Sequence, residues 1–419
     1  MSTYGDDSSS SISGGAIAAG VGALLIIYIA ALRLFFYIKK EKEKPIAKKA
    51  VQLWEIDSPT MERFLQDLAK EKPVRFTAQQ LCSLTTNYSV VLGSGGFGVV
   101  YKGQFPNGVK IAVKVLKRSL VDKRAEEQFM AEVSTIGRTH HINLVRLYGY
   151  SYDRLLSAIV YEYVENGSLD KYLFGMQGVS SDKLLEIAIG TAKGIAYLHE
   201  ECQHRIIHYD IKPGNVLLDA NFNPKVADFG LARICNRDNT HESLTGYKGT
   251  LGYSAPEFLL NNYPITYKCD VYSFGMLLFE IVGRRRNSIV GSNDSLDWFP
   301  KHVWDEYEKG ELAKMMVSHG IEEKDREGAH RMAMVALWCV QDSPMVRPPM
   351  SAVVKMLEGG VEMMPPPKPF QYLYPVGIGV PTYTRNNSDS TDHGSNSFWY
   401  KEQTTPIMAK YEIQIASSS

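Results

Sequence analysis

The sequence is poor in cysteine and carries no net charge. Its five cysteines are scattered and form no C-x-x-C pair, which argues against a disulfide scaffold or structural zinc site and indicates a reducing compartment. Lysine plus arginine and aspartate plus glutamate each number 46, so no whole-molecule field attracts nucleic acid, and we expect no nucleic-acid partner. At 419 residues and 44% hydrophobic, the chain can bury a full core, and its length predicts more than one structural unit.

Charge is also absent from residues 8–32. The apolar stretch at 16–38 is about 23 residues, or roughly 34 Å of helix, enough to cross a hydrocarbon core of about 30 Å. Lysines follow it, a flank that marks the cytoplasmic side. We predict a short extracellular segment at 1–15, a single transmembrane helix at 16–38 in the plasma membrane, and a cytoplasmic remainder. A cleaved signal peptide is the alternative, but its start would be basic, whereas Asp6 and Asp7 stand here.

The cytoplasmic part divides into three stretches by composition. Residues 39–87 form a predicted juxtamembrane segment, whose Lys/Glu run is either a plain stop-transfer flank or a contact with anionic lipid. Residues 88–358 are globular, with strand-like runs before long helical patterns. Residues 359–419 begin with prolines and continue rich in Asn, Ser and Thr, which predicts a disordered tail. Its candidate docking residues are Tyr372, Tyr374, Phe398, Trp399 and Tyr400.

A glycine-rich motif, L-G-S-G-G-F-G-V-V, opens the globular stretch. The residues expected to contact a nucleotide are Leu92, Gly93, Gly95, Gly98 and Val100. G-x-G-x-x-G also begins the dinucleotide site of NAD-binding oxidoreductases, but there a helix must follow. Here a β-rich run and a Pro-Asn-Gly turn at 106–108 follow, so the glycines belong to a hairpin. Without Cβ atoms, such a loop can cover the phosphates of ATP.

The next strand and helix supply opposite charges. The period of two places Ala112, Lys114 and Leu116 on one face of a strand. In the helix predicted at 126–138, Glu132 flanks an apolar stripe formed by Phe129, Val133 and Ile136. A carboxylate bordering a packing face usually has a cationic partner. We therefore predict a pair of Lys114 with Glu132 that aims the ammonium at the α and β phosphates, against the alternative of an exposed strand lysine.

Two later motifs carry the chemistry of phosphoryl transfer. In H-Y-D-I-K-P-G-N at 208–215, Asp210 would orient the acceptor hydroxyl and take its proton, and Lys212 would stabilise the transferring phosphoryl group. Asn215 and Asp228, the latter in D-F-G, would hold Mg²⁺, since their hard oxygens suit this ion. Either motif alone can be an ordinary loop or turn. Their order after the glycine motif and Lys114 favours phosphoryl transfer.

With these motifs in this order, residues 88–357 resemble a eukaryotic protein kinase. The resemblance implies an α+β, two-lobed fold: a small antiparallel sheet with one helix, then a mainly helical lobe, with ATP and Mg²⁺ between them. It implies that Tyr161 is the gatekeeper and that 162–164, including Tyr163, form the hinge at the adenine, close to Ala112. It also implies that Glu257 pairs with Arg347 and that Asp270 braces the catalytic loop.

Narrower features are similar to the serine/threonine kinases and, among them, to plant receptor-like kinases of the leaf-rust-resistance type. They are Lys212 with G-T-L-G-Y at 249–253, and the stretches 161–170, 210–219 and 269–280. The resemblance implies a serine/threonine kinase that acts on proteins in cell-surface or defence signalling. That group commonly has a cysteine-rich extracellular domain, so a co-receptor that supplies an ectodomain is an expected partner. A catalytically weak scaffold is the alternative function.

Tyr209 occupies a position where many kinases have an arginine. No guanidinium is then available there to bind an activation-loop phosphate. We therefore expect that phosphorylation of Thr240, Ser243, Thr245 or Thr250 is not a simple on-switch. A large gain in activity on phosphorylating any one of them would refute this hypothesis.

Overall fold

The described part of the chain begins at residue 73 and ends at 371. In this computed structural model the residues described are 73–371 without 97, 118–123, 154–155, 177, 237–248, 260–262 and 291–295. The predicted extracellular segment, the predicted transmembrane helix and the tail beyond 371 lie outside the described residues. No helix within the described ranges is sufficiently long and apolar to span a membrane.

A six-stranded sheet forms the first lobe, in the order β1-β5-β6-β4-β3-β2. Its strands are β1 (Val74–Arg75), β2 (Val91–Gly95), β3 (Gly98–Gln104), β4 (Lys110–Leu116), β5 (Leu147–Tyr152) and β6 (Ser157–Glu162). All neighbours are antiparallel except β1 and β5, where Val74 lies opposite Gly149 in a parallel pair. A Cβ at Gly149 would lie 2.1 Å from the Val74 carbonyl oxygen, so glycine permits this approach.

Two helices cover this sheet, α1 (Ala78–Leu84) and α2 (Arg124–Ile136). Thr77 and Gln80 begin α1 with a capping box: Gln80 N donates to Thr77 Oγ1 (3.2 Å) and Thr77 N donates to Gln80 Oε1 (2.8 Å). Leu81 of α1 is buried against Ile111, Val113, Ala158 and Val160. The small lobe is thus a mixed sheet with two helices, and the prediction of an antiparallel sheet with one helix was wrong because residues 74–84 of the predicted juxtamembrane segment supply β1 and α1.

The second lobe is mainly helical, as predicted. Its helices are α3 (Asp170–Phe174), α4 (Ser181–Ala196), α5 (Lys268–Gly283), α6 (Phe299–Glu308), α7 (Leu312–Ser318), α8 (Arg326–Cys339) and α9 (Met350–Glu358). A π-helical turn, Tyr197–Glu201, prolongs α4, and 3₁₀ turns lie at Pro213–Asn215, Pro256–Phe258 and Glu323–Asp325. Helix α5 is buried over nearly its whole length, so this lobe is built around it.

Three short ribbons complete the second lobe. They pair β7 (Arg205–Ile207) with β10 (Arg233–Cys235), β8 (Val216–Leu218) with β9 (Pro224–Val226), and β11 (Ser288–Val290) with β12 (Leu296–Trp298). The first two ribbons carry the loops that hold the predicted site residues. They therefore position the chemistry, whereas the helices supply the core.

The chain remains packed beyond the predicted end of the globular stretch at residue 358. Gly359, with φ of +77°, ends α9. Phe370 is fully buried, and the centre of its ring lies 4.6 Å from the ring centre of Trp298. The Asp342 carboxylate accepts hydrogen bonds from the backbone N–H groups of Phe370 (2.9 Å) and Gln371 (2.7 Å). Ordered contacts therefore continue through Gln371, into the stretch where a disordered tail was expected.

Candidate active site

The glycine motif forms the turn between β2 and β3, where Gly95 lies opposite Gly98. A Cβ added at Gly98 would lie 2.2 Å from the Val115 carbonyl oxygen, so this glycine lets the hairpin pack on β4. A Cβ at Gly93 or Gly95 would meet no atom of the described chain within 4 Å. These two glycines therefore face open space, while Gly98 has a structural role.

One face of the sheet collects the other predicted nucleotide contacts. Val100 lies opposite Lys114, and Ala112 lies opposite Tyr161, and residues opposite each other in antiparallel strands point to the same face. Leu92 is 37% exposed on β2. Tyr163 follows the end of β6, and Nζ of Lys102 lies 5.1 Å from its ring centre. The face opposite to the Leu81 core is thus the one that bears the site.

Lys114 joins the two lobes. Its Nζ lies 3.2 and 3.0 Å from the two carboxylate oxygens of Glu132 and 2.6 Å from Asp228 Oδ1, so the predicted pair with Glu132 is present. The Tyr161 hydroxyl also donates to Glu132. Burial alone lowers the pKa of Lys114, but the two carboxylates outweigh it and hold that pKa above its ordinary value. The ammonium therefore stays charged in this cluster.

The two carboxyl groups beside Lys114 differ in their titration. Burial raises the pKa of Glu132, and the nearby ammonium offsets only part of this effect. For Asp228, burial also acts to raise the pKa, but Lys114 prevails and lowers it. Asp228 is the more exposed of the two, with 27% of its side chain accessible against 1% for Glu132. Asp228 is thus an ionised carboxylate at an accessible edge of the cluster.

Asp270 holds the backbone of the catalytic loop (208–215) by hydrogen bonds, as the resemblance implied. Its carboxylate accepts hydrogen bonds from the backbone N–H groups of His208 and Tyr209 (both 2.8 Å) and contacts His199 Nε2 (2.9 Å). His208 Nδ1 accepts from Asp210 N (3.2 Å), which leaves Nε2 as the donor to the Ala227 carbonyl (3.1 Å). The His208 ring therefore connects the backbone N–H of Asp210 with the carbonyl of Ala227, the residue before Asp228.

Three donors orient the Asp210 carboxylate, which is 4% exposed. Asn215 Nδ2 and Lys212 Nζ lie 2.8 and 2.9 Å from Oδ2, and the Thr250 hydroxyl donates to Oδ1 at 2.5 Å. Lys212 Nζ in turn donates to Thr250 Oγ1 (2.6 Å). Thr250 was predicted only as a phosphorylation candidate, so its contact with Asp210 is a finding of the structure. Its place in G-T-L-G-Y is the one sequence signal that could have revealed it.

The β8–β9 ribbon brings Asn215 and Asp228 to one end. Val216 lies opposite Val226, and Ala227 N donates to the Asn215 carbonyl (2.9 Å). Within the described ranges, neither the Asn215 amide oxygen nor Asp228 Oδ2 takes part in a hydrogen bond. Two hard oxygen donors with open coordination sites fit Mg²⁺, which completes its shell with water and nucleotide oxygens. The donor set here is thus compatible with the predicted ion.

Residues 86–357 match the family described as protein tyrosine and serine/threonine kinase. The chain belongs to this family. The predicted two-lobed kinase fold is confirmed, apart from the strand and helix described above.

Its relatives include protein kinases of plants. The rust resistance kinase Lr10 of Triticum aestivum is 44% identical over 320 residues, which cover 74% of this chain and 49% of the relative. A leaf rust 10 disease-resistance locus receptor-like protein kinase of Arabidopsis thaliana is 40% identical over 78% of this chain and 51% of its own length. A G-type lectin S-receptor-like serine/threonine-protein kinase of the same plant is 43% identical, over 83% of this chain and 38% of its own. The predicted resemblance is confirmed, and this kinase chain spans about half or less of these relatives.

The kinase activation segment, from Asp228 to Glu257, is described in part. Thr240, Ser243 and Thr245 lie outside the described residues. Tyr209 is buried, and the centre of its ring lies 6.0 Å from that of Phe258 in an edge-on contact, so an aromatic contact occupies the position where many kinases have an arginine. At the end of the segment, both oxygens of Glu257 accept hydrogen bonds from Arg347 at 2.7 Å, which is the pair that the resemblance implied.

Proposed function

We propose that this chain is a membrane-anchored serine/threonine protein kinase that transfers the γ-phosphoryl group of ATP to serine or threonine hydroxyls of proteins. The observation that carries the proposal is the 2.6 Å contact between Lys114 Nζ and Asp228 Oδ1. These residues are 114 positions apart, and their contact joins the nucleotide-facing side of the small sheet to the loops that bear Asp210 and Asn215. A scaffold needs no such convergence of ammonium, carboxylates and amide.

Each residue of this cluster has a proposed role. The Lys114 ammonium meets the α and β phosphates while Glu132 keeps it in place. The Asp210 carboxylate, oriented by Asn215, Lys212 and Thr250, accepts the proton of the acceptor hydroxyl. Asn215 and Asp228 would hold Mg²⁺, which, when bound, neutralises charge on the phosphate oxygens.

The nucleotide itself is proposed to lie against the site face of the sheet. Val100 and Ala112 would pack on the adenine, with Tyr161 as the gatekeeper and Tyr163 in the hinge. Gly93, Gly95 and Gly98 would cover the phosphates, with Leu92 at the pocket edge. The open space beside Gly93 and Gly95 supports this arrangement, because an approaching phosphate meets no Cβ there.

The proposed Ser or Thr acceptor, the role in defence signalling and the location at the plasma membrane rest on the resemblance to relatives. Relatives named as serine/threonine kinases support a Ser or Thr acceptor. Relatives named for rust resistance and for receptor-like kinases support a role in defence signalling at the plasma membrane, anchored by residues 16–38, with a co-receptor as partner.

A phosphorylation assay tests the catalytic proposal. The full chain, purified in detergent, is incubated with Mg²⁺ and labelled ATP beside Asp210→Asn and Lys114→Met. We expect label on serine or threonine of the natural chain and about 10²-fold or greater loss in both variants. Lys193→Met, on the outer surface of α4, is the matched control and should incorporate label normally. Equal incorporation by all four proteins would exclude the enzyme and leave the scaffold alternative.

Membrane anchoring has a separate test. The full chain expressed in plant cells should stay in the membrane pellet after alkaline carbonate extraction, and deletion of residues 16–38 should release it. Release of both forms would contradict the anchor without affecting the catalytic proposal.

A further inference from the structure

An apolar groove of about 300 Å³ lies in the large lobe, and its lining residues, between 338 and 364, follow all of the active-site motifs in the sequence. Helices α8 and α9 form its floor, and residues 361–364, which follow Gly359, form one wall. The Trp338 indole N–H donates to the Met364 carbonyl (2.9 Å) and fixes that wall. The principal apolar lining residues are Trp338, Val346, Met356, Val361, Met363 and Met364.

The apolar lining is largely open to solvent. Met364 is 70% exposed, and Val346 and Val361 are each 44% exposed. Contiguous exposed apolar groups of this kind favour a covering partner. Methionine thioethers adapt their shape and bind well to aromatic rings, so the groove suits an aromatic segment.

Two opposite charges border the groove, Lys355 on α9 and Glu362 on the wall. Neither side chain forms an ion pair with any residue in the described ranges. The occupant should therefore carry aromatic residues beside one positive and one negative charge. Residues 398–402 of this chain, Phe-Trp-Tyr-Lys-Glu, have this composition, and they contain the one run of three aromatic residues beyond residue 371.

The tether between groove and segment has a suitable length. Met364 lines the groove and Gln371 is seven residues further, so Gln371 lies within about 25 Å of it. About 27 residues then lead to Phe398, and a random coil of that length spans roughly 30 Å on average. A flexible tether whose average span is at least as long as the distance to be bridged allows its end to reach the site, and the effective concentration of that end is in the millimolar range for short tethers. The chain's own segment therefore has an advantage over a free partner.

We propose that residues 398–402 dock in this groove of the same molecule, with the aromatic side chains on the methionines and Trp338. Lys401 pairs with Glu362, and Glu402 pairs with Lys355. The groove is thus an intramolecular docking site for the C-terminal region, independent of the phosphoryl-transfer site.

Methionine oxidation tests the docking. The full chain and Trp399→Ala are exposed to dilute hydrogen peroxide, and oxidation of Met356, Met363 and Met364 is followed by mass spectrometry. We expect about three- to tenfold faster oxidation in Trp399→Ala, because a segment that is docked most of the time leaves the thioethers open for only the remaining fraction. Tyr383→Ala, which removes a tail aromatic residue outside the segment, should oxidise like the natural chain. Equal rates in all three proteins would overturn the proposal.

A charge exchange tests the orientation. Glu362→Lys alone should speed oxidation, and Glu362→Lys with Lys401→Glu should restore the natural rate, since the pair is rebuilt with reversed sign. A double variant as fast as the single one would overturn the pairing of Lys401 with Glu362.

Cross-linking distinguishes the molecule's own segment from that of a second copy. Glu362→Cys with Lys401→Cys should form a disulfide within the monomer at low protein concentration, whereas Glu362→Cys with Tyr383→Cys should form it at least about tenfold more slowly. A disulfide found only in dimers would show that a second copy fills the groove and would overturn the intramolecular proposal.

Discussion

The ion pair of Arg347 with Glu257 and that of Lys114 with Glu132 are both buried, but their cations are satisfied in different ways. Arg347 is bidentate to Glu257 and also donates to the carbonyl groups of Gln341 (2.8 Å), Lys268 (3.0 Å) and Asp342 (3.2 Å). All five of its N–H donors are thus used within the large lobe. This pair therefore stabilises the large lobe and leaves no Arg347 donor for a ligand.

Lys114 instead shares one compact charge between carboxylates of two lobes, Glu132 and the more exposed Asp228. An ammonium has no fixed planar geometry, so it can exchange one partner for another. A buried pair confined to one lobe therefore holds the fold, whereas a buried pair shared across lobes can accept a ligand.

The largest effect is expected from Arg347→Met. This change leaves the Glu257 carboxylate buried without its cation and should lower the free energy of unfolding by about 3–5 kcal/mol. Urea denaturation measures the loss. Lys193→Met on the exposed side of α4, which breaks the pair with Glu358, should cost no more than about 1 kcal/mol. Similar losses of unfolding free energy in the two variants would show that the buried pair stabilises the fold no more than a surface pair does.

Lys114→Met should affect the chemistry more than the fold. Phosphoryl transfer should fall roughly 10²–10³-fold, because one preorganised positive group is lost from the phosphate site. Its free energy of unfolding should change less than that of Arg347→Met, since Tyr161 still donates to Glu132 and the raised pKa of Glu132 favours its neutral form. Initial rates and urea curves on the same preparations test both parts. A variant that unfolds as easily as Arg347→Met would remove the distinction between the two pairs.

Glu280 extends the comparison to a buried carboxyl group held by neutral donors. Tyr253 Oη and Asn287 N donate to it at 2.7 and 3.1 Å, and burial raises its pKa to about 7. The folded state therefore holds this proton more tightly than the unfolded chain. The associated stability is complete below pH 4.5, the ordinary pKa, and is lost as the pH rises through 7, by about 3 kcal/mol in total.

The pH dependence of unfolding tests this expectation. Between pH 5 and 8 the free energy of unfolding of the natural chain should decline more steeply than that of Glu280→Gln, whose side chain does not titrate. Glu327→Gln, at an exposed position of α8, serves as the control and should follow the natural curve. Parallel curves for the natural chain and Glu280→Gln would contradict the raised pKa.

The smallest effect is expected from Tyr161→Phe. It removes one hydroxyl donor from Glu132, which keeps both contacts with Lys114, so the free energy of unfolding should fall by about 1 kcal/mol. Tyr148→Phe is the matched control, since its hydroxyl forms no hydrogen bond with a residue in the described ranges. A thermal melt that is unchanged in Tyr161→Phe would show that Lys114 alone holds Glu132.

The contacts that the sequence predicts are those set by a local period or a short motif. The period of two on β4 and the stripe on α2 pointed to the pair of Lys114 with Glu132, and the motif at 208–215 grouped Asp210 with Asn215. The hydrogen bond of Thr250 with Asp210 could not be predicted from the sequence. It joins residues 40 positions apart, and their approach depends on how the activation segment folds back.

Strand β1 could not be predicted from the sequence, for a different reason. Two residues give no alternation to read, and their parallel pairing depends on Gly149, which looks like any other glycine in the sequence. Packing beyond residue 358 depends on contacts between residues far apart in the chain, such as those of Phe370 with Trp298 and Asp342, and it follows a run of prolines that favours disorder. The roles of the site residues stay predictions until ATP binding and transfer are measured.

The most direct test of the central claim, that Lys114, Asn215 and Asp228 belong to one ATP site, is calorimetric titration of ATP into the full chain with and without Mg²⁺. We predict that Mg²⁺ tightens binding by about tenfold or more in the natural chain, and that Asp228→Asn largely loses this gain, because one oxygen ligand loses its negative charge. An ATP affinity that does not respond to Mg²⁺ in the natural chain, or an undiminished response in Asp228→Asn, would contradict the account.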